Sequence, residues 1–416
     1  MNSINEFFEA NRQKLLNILP DKSVALLFAA TLKTRSWDSH YPFCQDKNFY
    51  YLTGYKNHSS AVLIKKIGSA VSTVLFVVKQ TPSQIHWSGY LPTIEEASTI
   101  TGIQTVKPLD TLNTHLTASL KYADHLYLDF HPINPNEPLT PELQFADMMR
   151  LRHPHITIHP IHNLMAQLRE IKSSEEVARI SSAIELTHKG IEQVLRYIRP
   201  GVPEYELEAH FNFELHRSGT NPAFSGIIAS GKNATVLHYN AMKDVLKPDE
   251  LILLDLGAEY KHYSADISRT FPINGKFSSK QRDIYSVVLE ANNKTIEAVT
   301  PGIALIDLNK ITQKALAEGL KTLGLIDDLS DISKFYTHGV SHSLGLDTHD
   351  IVSGIYEDLR PGMVITIEPG LYFPDDGLGV RIEDDILVTE SGYRNLSIDI
   401  PKEITSIENW MSSLHS

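Results

Sequence analysis

The segment LILLDLGAEYKHYSADISRTF (residues 251–271) consists of two apolar runs that flank a short polar middle. Two such runs joined by a short polar stretch predict an antiparallel β-hairpin. A turn centred between Tyr260 and Lys261 places Asp255 directly opposite Asp266. Opposed residues on one face of an antiparallel pair have Cβ atoms about 5 Å apart. The hairpin is therefore expected to present two carboxylates side by side.

A second hairpin with the same property is predicted near the C-terminal end of the chain. The runs MVITIEPGLYF (363–373) and GVRIEDDILV (379–388) flank PDDG (374–377), which is a strong turn signal. A turn at the centre of PDDG places Glu368 opposite Glu383. Like charges directly opposed in a ladder destabilise it, so two acidic pairs indicate a bound cation.

His342 joins these four carboxylates as a fifth candidate ligand. Carboxylates and a neutral imidazole, without a thiolate, suit hard divalent metal ions. Two such ions balance four negative charges, and a water between paired metals is deprotonated near neutral pH, so the pattern predicts metal-assisted hydrolysis. The alternative is that these are solvated acidic residues near turns. It is disfavoured because Asp255 and Glu368 interrupt apolar runs, where an unpaired carboxylate is costly.

Length and composition limit the class of protein. The chain has 416 residues, a net charge of −12 and one cysteine, which predicts two domains and argues against nucleic acid or an anionic membrane as partner. Cys44 cannot form an intramolecular disulfide, and we expect it to be a small buried hydrophobic residue in a reducing compartment. An amphipathic N-terminal segment and the absence of an 18-residue apolar run predict a cytoplasmic protein without a membrane span.

Strand and helix signals alternate in the first part of the chain and predict an α/β domain. The domain boundary is expected near residues 165–173, where Ser173 and Glu176 fit a capping box that opens a long helix to about Arg199. The predicted strands are 23–30, 59–66, 72–79 and 125–130. The other predicted helices are 4–19, 93–101, 141–151, 203–218, 279–299 and 305–323.

Histidines gather in THGVSHSLGLDTHD (337–350), which contains His338, His342 and His349. Three imidazoles exceed what a metal pair already holding four carboxylates needs. One or two are therefore expected to act as acid–base or hydrogen-bonding groups. His238, which precedes the first hairpin, is a further candidate, although a structural role stays open for it.

These segments resemble the signature motifs of the pita-bread metallopeptidases, and within that family those of bacterial-type aminopeptidase P. The motifs are TVLHY (235–239), LLDLGAEY, ADISRTFP, HGVSHSLGLDTHD, IEPGLY and VRIEDD, with DSHYPFCQDKNFYYLTGY (38–55) and HWSGYLPTIEEASTITG (86–102) in the first domain. The resemblance implies an α/β N-terminal domain over residues 1–168. An α+β pita-bread (creatinase/aminopeptidase) catalytic domain is implied over residues 169–416.

The resemblance also implies roles for individual residues. The dinuclear ligands, usually with manganese, would be Asp255, Asp266, His342, Glu368 and Glu383. Glu368 would accept the proton, and His349 would contact the scissile carbonyl and steady the tetrahedral intermediate. His238 and His338 match histidines on the proline side of the substrate pocket, and His238 is also a catalytic candidate. Arg381 would anchor substrate or the ligand shell, with pairing to Asp384 or Asp385 as the alternative.

The activity implied is hydrolysis of the N-terminal Xaa-Pro bond of peptides by a hydroxide that bridges two divalent ions. A prolidase, restricted to Xaa-Pro dipeptides, is the alternative enzyme. A catalytically dead pita-bread binding protein or a metal-free creatinase-like hydrolase is disfavoured because all five ligand positions are filled. Trp87 matches an aromatic residue that reaches a neighbouring subunit in tetrameric relatives, so a dimer or tetramer is expected. The alternative role for Trp87 is packing within its own domain structure.

Overall fold

The chain divides into two compact units, residues 1–168 and residues 169–416. The computed structural model describes residues 3–130, 134, 136–354 and 358–414. Among these residues, no helix is both long enough and apolar enough to cross a lipid bilayer.

The first unit is built on a mixed sheet with helices, as the alternating signals predict. Its strands are β1 (Ser23–Phe28), β2 (Thr34–Ser36), β3 (Ser39–His40), β4 (Ala61–Ile67), β5 (Ala70–Val77), β6 (Thr105–Pro108), β7 (His125–Leu128) and β8 (Thr157–Pro160). Its helices are α1 (Ser3–Ile18), α2 (Lys47–Thr53), α3 (Pro82–Ser88), α4 (Ile94–Thr101), α5 (Leu112–Leu120), α6 (Pro141–Arg152) and α7 (His162–Glu170), the last of which spans the unit boundary. The main sheet has the order β6-β5-β4-β1-β7-β8.

Cys44 corrects one expectation for this unit. Its thiol is free and exposed rather than buried. The residue lies in the irregular segment that precedes α2, outside the strands and helices that pack the core. Trp87, at the end of α3, is 85% exposed.

The second unit contains four small sheets and the longest helices. Its strands are β9 (Asn221–Pro222), β10 (Ile227–Ser230), β11 (Leu251–Leu256), β12 (Ala258–Tyr260), β13 (Tyr263–Ser264), β14 (Ile267–Pro272), β15 (Val364–Ile367), β16 (Gly370–Phe373), β17 (Leu378–Arg381), β18 (Asp384–Thr389) and β19 (Gly392–Asn395). Its helices are α8 (Ser174–Leu195), α9 (Glu204–Arg217), α10 (Ser279–Glu297), α11 (Leu305–Thr322) and α12 (Ile404–Leu414). The sheet orders, for the described residues, are β10-β11-β14, β13-β12-β9, β15-β18-β19 and β16-β17.

The capping box at the start of α8 is confirmed. Ser173 Oγ accepts a hydrogen bond from the backbone N–H of Glu176, and the Glu176 side chain accepts one from the Ser173 N–H at 2.8 Å. The reciprocal bonds satisfy two of the N–H groups that a helix start leaves unpaired. The helix ends at Leu195, a few residues before the predicted end.

The first acidic hairpin forms with a register two residues away from the predicted one. Asp255 pairs with Ser268, not with Asp266. The turn residues are Lys261 and His262, both with positive φ (48° and 69°), so the turn centre lies one position later than expected. Positive φ at both central positions matches the right-handed twist of a two-residue hairpin, although Gly or Asn usually supplies it.

The second acidic hairpin has the predicted register. Ile367 pairs with Asp384 in the part of the hairpin far from the turn, and Gly370 pairs with Arg381 in the part next to the turn. Glu368 and Glu383 occupy opposed positions between these pairs, where both strands are interrupted. The interruption frees both carboxylates from the ladder and lets them point to a common centre.

Candidate metal centre and active site

Four carboxylates and His342 meet in one cavity of about 270 Å³ in the second unit. They come from separate pieces of the chain: β11, the link between β13 and β14, the 337–350 loop, and the two interruptions of the second hairpin. The described residues that line the cavity are Leu237, His238, Asp255, Asp266, His338, Gly339, Ser341, His342, His349, Glu368, Arg381 and Glu383. Every residue that the sequence nominated for the site is in this set.

The donor atoms fit divalent metal ions. Three overlapping groups each have one donor atom per residue within 4.8 Å of the others: Asp255–Asp266–Glu383, His342–Glu368–Glu383 and Asp266–His342–His349. Asp266, His342 and Glu383 each belong to two groups, as expected for neighbouring ions that share ligands. Asp255 Oδ1 is buried without a hydrogen-bond partner, so it needs another positive group.

The electrostatics of the ligand-free cluster point the same way. Burial, followed by repulsion from neighbouring carboxylates, raises the pKa of Asp266 and of Glu383 well above the ordinary range. Burial raises the pKa of Glu368 to about 7, with Arg381 opposing the shift and Asp255 adding to it. A buried set of mutually repelling carboxylates is relieved by cations.

His342 is held as a neutral imidazole with one ring nitrogen facing the carboxylates. Burial, and next the nearby His349, lower the pKa of His342 to about 4. Its Nδ1 lies 3.1 Å from the Ser343 carbonyl oxygen and donates to it. That bond leaves the Nε2 lone pair facing Asp266 at 3.4 Å and Glu368 at 3.7 Å. A backbone carbonyl on the other ring nitrogen fixes a metal-binding imidazole in the tautomer that binding requires.

Arg381 supports the carboxylates rather than standing free in the cavity. Its Nη2 donates to Asp255 Oδ2 at 2.5 Å, its Nε to Ser268 Oγ at 2.8 Å, and its Nη1 to Tyr372 Oη at 3.1 Å. Ser268 Oγ in turn donates to Glu383 at 2.8 Å. One arginine thus contacts the first acidic pair directly and the second through a hydroxyl.

The alternative pairing of Arg381 with Asp384 or Asp385 is wrong. Asp384 forms ion pairs with Arg269 and Lys402. The Asp385 carboxylate accepts a hydrogen bond from the backbone N–H of Asp266. Both acids lie on or beside β18, whereas the Arg381 side chain extends to β11.

The remaining histidines lie around the carboxylates. His338 Nδ1 donates to the Gly339 carbonyl oxygen at 2.7 Å, so Nε2 accepts from Tyr372 Oη at 2.8 Å. Burial lowers the pKa of His338 to about 4, which agrees with a neutral ring. The His349 ring lies 4.2 Å, centroid to centroid, from that of His342 and is tilted by 53° to it. Both His349 and His238 are exposed at the cavity.

Sequence reasoning missed several residues that hold the site. Tyr372 and Ser268 bond to Arg381, and Asp350 anchors the loop that carries His349. Asp350 is buried and forms ion pairs with Arg169 and Lys172. A buried aspartate directly after a site histidine was the available signal, but its partners lie far away in sequence.

Comparison with known proteins decides the family. The profile of metallopeptidase family M24 matches residues 178–390, and that of the aminopeptidase P N-terminal domain matches residues 8–127. The chain belongs to metallopeptidase family M24. Xaa-Pro aminopeptidase of Escherichia coli strain K12 is 34% identical to it over 97% of this chain and 97% of its own length.

Solved aminopeptidase P structures share the fold over the whole chain. A Bacillus anthracis protein classed provisionally as an aminopeptidase P is 44% identical, with a TM-score of 0.96 over 98% of both chains. E. coli aminopeptidase P, solved with the inhibitor Pro-Leu, is 32% identical, with a TM-score of 0.91 over 99% of this chain and 98% of that one. The predicted family, enzyme class and fold, an aminopeptidase P N-terminal domain followed by a pita-bread catalytic domain, are confirmed.

Proposed function

We propose that the protein is a Xaa-Pro aminopeptidase, which removes the first residue of peptides whose second residue is proline. The observation that carries the proposal is the convergence of four carboxylates and His342 on one cavity. The full-length similarity to the E. coli enzyme supports the substrate class. That enzyme's structure with Pro-Leu, a dipeptide that begins with proline, supports a proline subsite in this family.

The metal is the second part of the proposal. Asp255, Asp266, His342, Glu368 and Glu383 would hold two divalent ions, with Mn²⁺ as the expected metal. Bound ions would polarise the scissile carbonyl and supply a water acidic enough to act as the nucleophile near neutral pH. The buried, partnerless Asp255 Oδ1 and the neutral His342 support this assignment.

The chain's own groups would divide the remaining work. Glu368 lies between His342 and His338, at 3.7 and 3.9 Å, and its carboxylate would accept the proton of the attacking water. His349 is exposed at the cavity and would donate to the oxygen that becomes negative as the carbonyl is attacked. His238 and His338 would line the proline side, with His238 also a candidate for proton transfer.

The cavity favours peptides over dipeptides. A prolidase must hold the carboxylate that directly follows proline, which calls for a free basic group. Among the described residues that line the cavity, Arg381 carries the permanent positive charge, and its guanidinium is already bonded to Asp255, Ser268 and Tyr372. Binding a dipeptide carboxylate there would leave those buried groups unpaired.

The test is a comparison of three substrates with the Mn²⁺-loaded protein. With alanine release as the assay, kcat/KM should be higher for Ala-Pro-Ala than for Ala-Pro, and Ala-Ala-Ala should be cleaved poorly. Glu368→Ala, which removes a ligand and the proposed base, is the inactive control. Strict preference for Ala-Pro would establish the prolidase instead. A metal-loaded protein that cleaves none of the three would support the binding-protein alternative.

Two further expectations stay predictions. A cytoplasmic location rests on the sequence pattern, and a homo-oligomer, dimer or tetramer, rests on the position of Trp87. Its 85% exposed side chain is compatible with a partner subunit, and light scattering of the purified chain measures the oligomeric state.

A further inference from the structure

Glu204, the first residue of α9, has a fully buried carboxylate in contact with the segment that carries His238. Its Oε1 accepts hydrogen bonds from the N–H and the hydroxyl of Ser230, both at 2.7 Å, and from Asn233 Nδ2 at 3.1 Å. Its Oε2 accepts from Tyr239 Oη at 2.8 Å and from the Asp244 N–H at 3.2 Å. Within the described part of the chain, no basic side chain forms an ion pair with it.

These donors enclose the cavity-lining residues Leu237 and His238. Ser230 stands at one end of the enclosed segment and Asp244 at the other, and Tyr239 directly follows His238. Residues 236–243, all of them described, form neither helix nor strand, so no ladder holds them. The bonds to Glu204 restrain their path, together with the Lys243 N–H that donates to Tyr239 Oη at 3.3 Å and the packing of Leu237 and Tyr239 against buried apolar residues.

The charge of Glu204 makes this restraint stiff. A buried carboxylate is costly unless donors fill its lone pairs, and here five donor groups do so. Hydrogen bonds to an ionised acceptor are roughly twice as strong as neutral ones. The N-terminal end of α9 also favours a negative charge at this position. A neutral side chain could close the same loop, but it would hold His238 less firmly.

We propose that Glu204 is a positioning residue of the active site, which fixes Leu237 and His238 against the substrate side of the cavity. Peptide binding then depends on Glu204, although its carboxylate does not line the cavity. The inference rests on the proposed function in assigning His238 to the substrate. The restraint on the segment can be measured without that assignment.

Glu204→Gln is the informative variant. It keeps the shape but replaces one acceptor oxygen with an amide donor, which then faces the donors of the 230–244 segment. KM for Ala-Pro-Ala should rise about tenfold, because buried donors lose their acceptor and His238 shifts. The metal content should stay close to that of the unsubstituted protein, because the five proposed ligand residues are untouched.

A double-mutant cycle separates positioning from general stabilisation. If Glu204 acts through His238, Glu204→Gln should have almost no further effect on KM in a His238→Ala background. Glu176→Gln is the matched control. Glu176 is another buried carboxylate that bonds to neutral donors, Ser173 and Tyr263, and it contacts neither end of the 230–244 segment. Its effect should be additive with His238→Ala.

Hydrogen exchange supplies a readout that needs no catalysis. Backbone amides of residues 236–243 should exchange faster in Glu204→Gln than in the unsubstituted protein or in Glu176→Gln. Tyr239→Phe, which removes one donor, should change exchange and KM in the same direction but less. This milder variant keeps the proposal testable if Glu204→Gln does not fold.

The outcomes distinguish the role of Glu204 from the role of His238. Unchanged exchange, or equal KM effects with and without His238, would overturn the proposal for Glu204. Loss of metal together with kcat would also overturn it, because that result indicates general damage. If His238→Ala leaves KM unchanged while exchange in Glu204→Gln is faster, the assigned role of His238 fails but the restraint by Glu204 stands.

Discussion

Glu368 should make the metal-free protein less stable as the pH rises. Burial raises its pKa from the ordinary 4.5 to about 7. Between these values the folded state holds a proton that the unfolded state has released, so the free energy of unfolding falls with increasing pH. The stabilising contribution is complete below pH 4.5 and is lost as the pH passes through about 7.

The size of the effect follows from the shift. The difference between 4.5 and about 7 is about 2.5 units, and at about 1.4 kcal/mol per unit the loss is about 3 kcal/mol. Glu368→Gln removes this titration. Relative to the unsubstituted protein, the variant should therefore gain about 3 kcal/mol between pH 4.5 and pH 8. The lowered pKa values of His338 and His342, about 4 in each case, make stability rise with pH. Both proteins share this contribution, so it largely cancels in the comparison.

Urea unfolding of chelator-treated protein measures this difference. Trp410 packs against His188 and Phe271 in the second unit, so its fluorescence reports that unit once Trp37 and Trp87 are changed to phenylalanine. With excess Mn²⁺, Glu368→Gln should be less stable than the unsubstituted protein, because it lacks one of the proposed ligands. A stability difference between the metal-free proteins that does not change with pH would contradict the proton uptake assigned to Glu368.

Three other outcomes are expected. Chelator treatment should abolish peptidase activity and added Mn²⁺ should restore it; full activity in protein shown by elemental analysis to be metal-free would contradict the mechanism. His349→Ala should keep its metals but lose about a hundredfold in kcat, because it removes a donor to the developing oxyanion; parallel loss of metal and activity would make it a ligand instead. Asp350→Asn should lower the free energy of unfolding by about 3 kcal/mol, because the buried Lys172 loses the carboxylate it pairs with and the buried Arg169 loses one of its ion pairs; urea titration measures it, and a change below about 1 kcal/mol would contradict it.

Local sequence signals predicted the second hairpin better than the first. PDDG has turn residues at each position, and the register it predicts for Glu368 and Glu383 is the one observed. The middle of the first hairpin, EYKHY, offers neither Gly nor Asn, and the turn falls one position later than expected. Hydrophobic alternation could not detect the error, because a shift of two residues leaves each side chain on the same face.

Because the register differs by two residues, Asp266 still reaches the site. Ser268, which takes the predicted place of Asp266 opposite Asp255, lies two positions after it in the sequence. Ser268 then takes the place in the ladder and bonds both Arg381 and Glu383, while Asp266 leaves the ladder between β13 and β14. The predicted register therefore put a proposed ligand in the place of a supporting residue, and Asp266 still lines the cavity.

Contacts between distant segments lay beyond what single-chain patterns could show, and two arginines illustrate the reason. Each hairpin contributes a buried arginine that pairs with an acid of the other one: Arg381 of the second holds Asp255 of the first, and Arg269 of the first holds Asp384 of the second. Sequence proximity gave Asp384 or Asp385 as the alternative partner of Arg381, and either pairing would lie within one hairpin. A pairing of that kind would stabilise each hairpin separately and leave their relative position free. The crossed pairing ties the two acidic pairs to each other, and this tie holds four mutually repelling carboxylates together in one cavity.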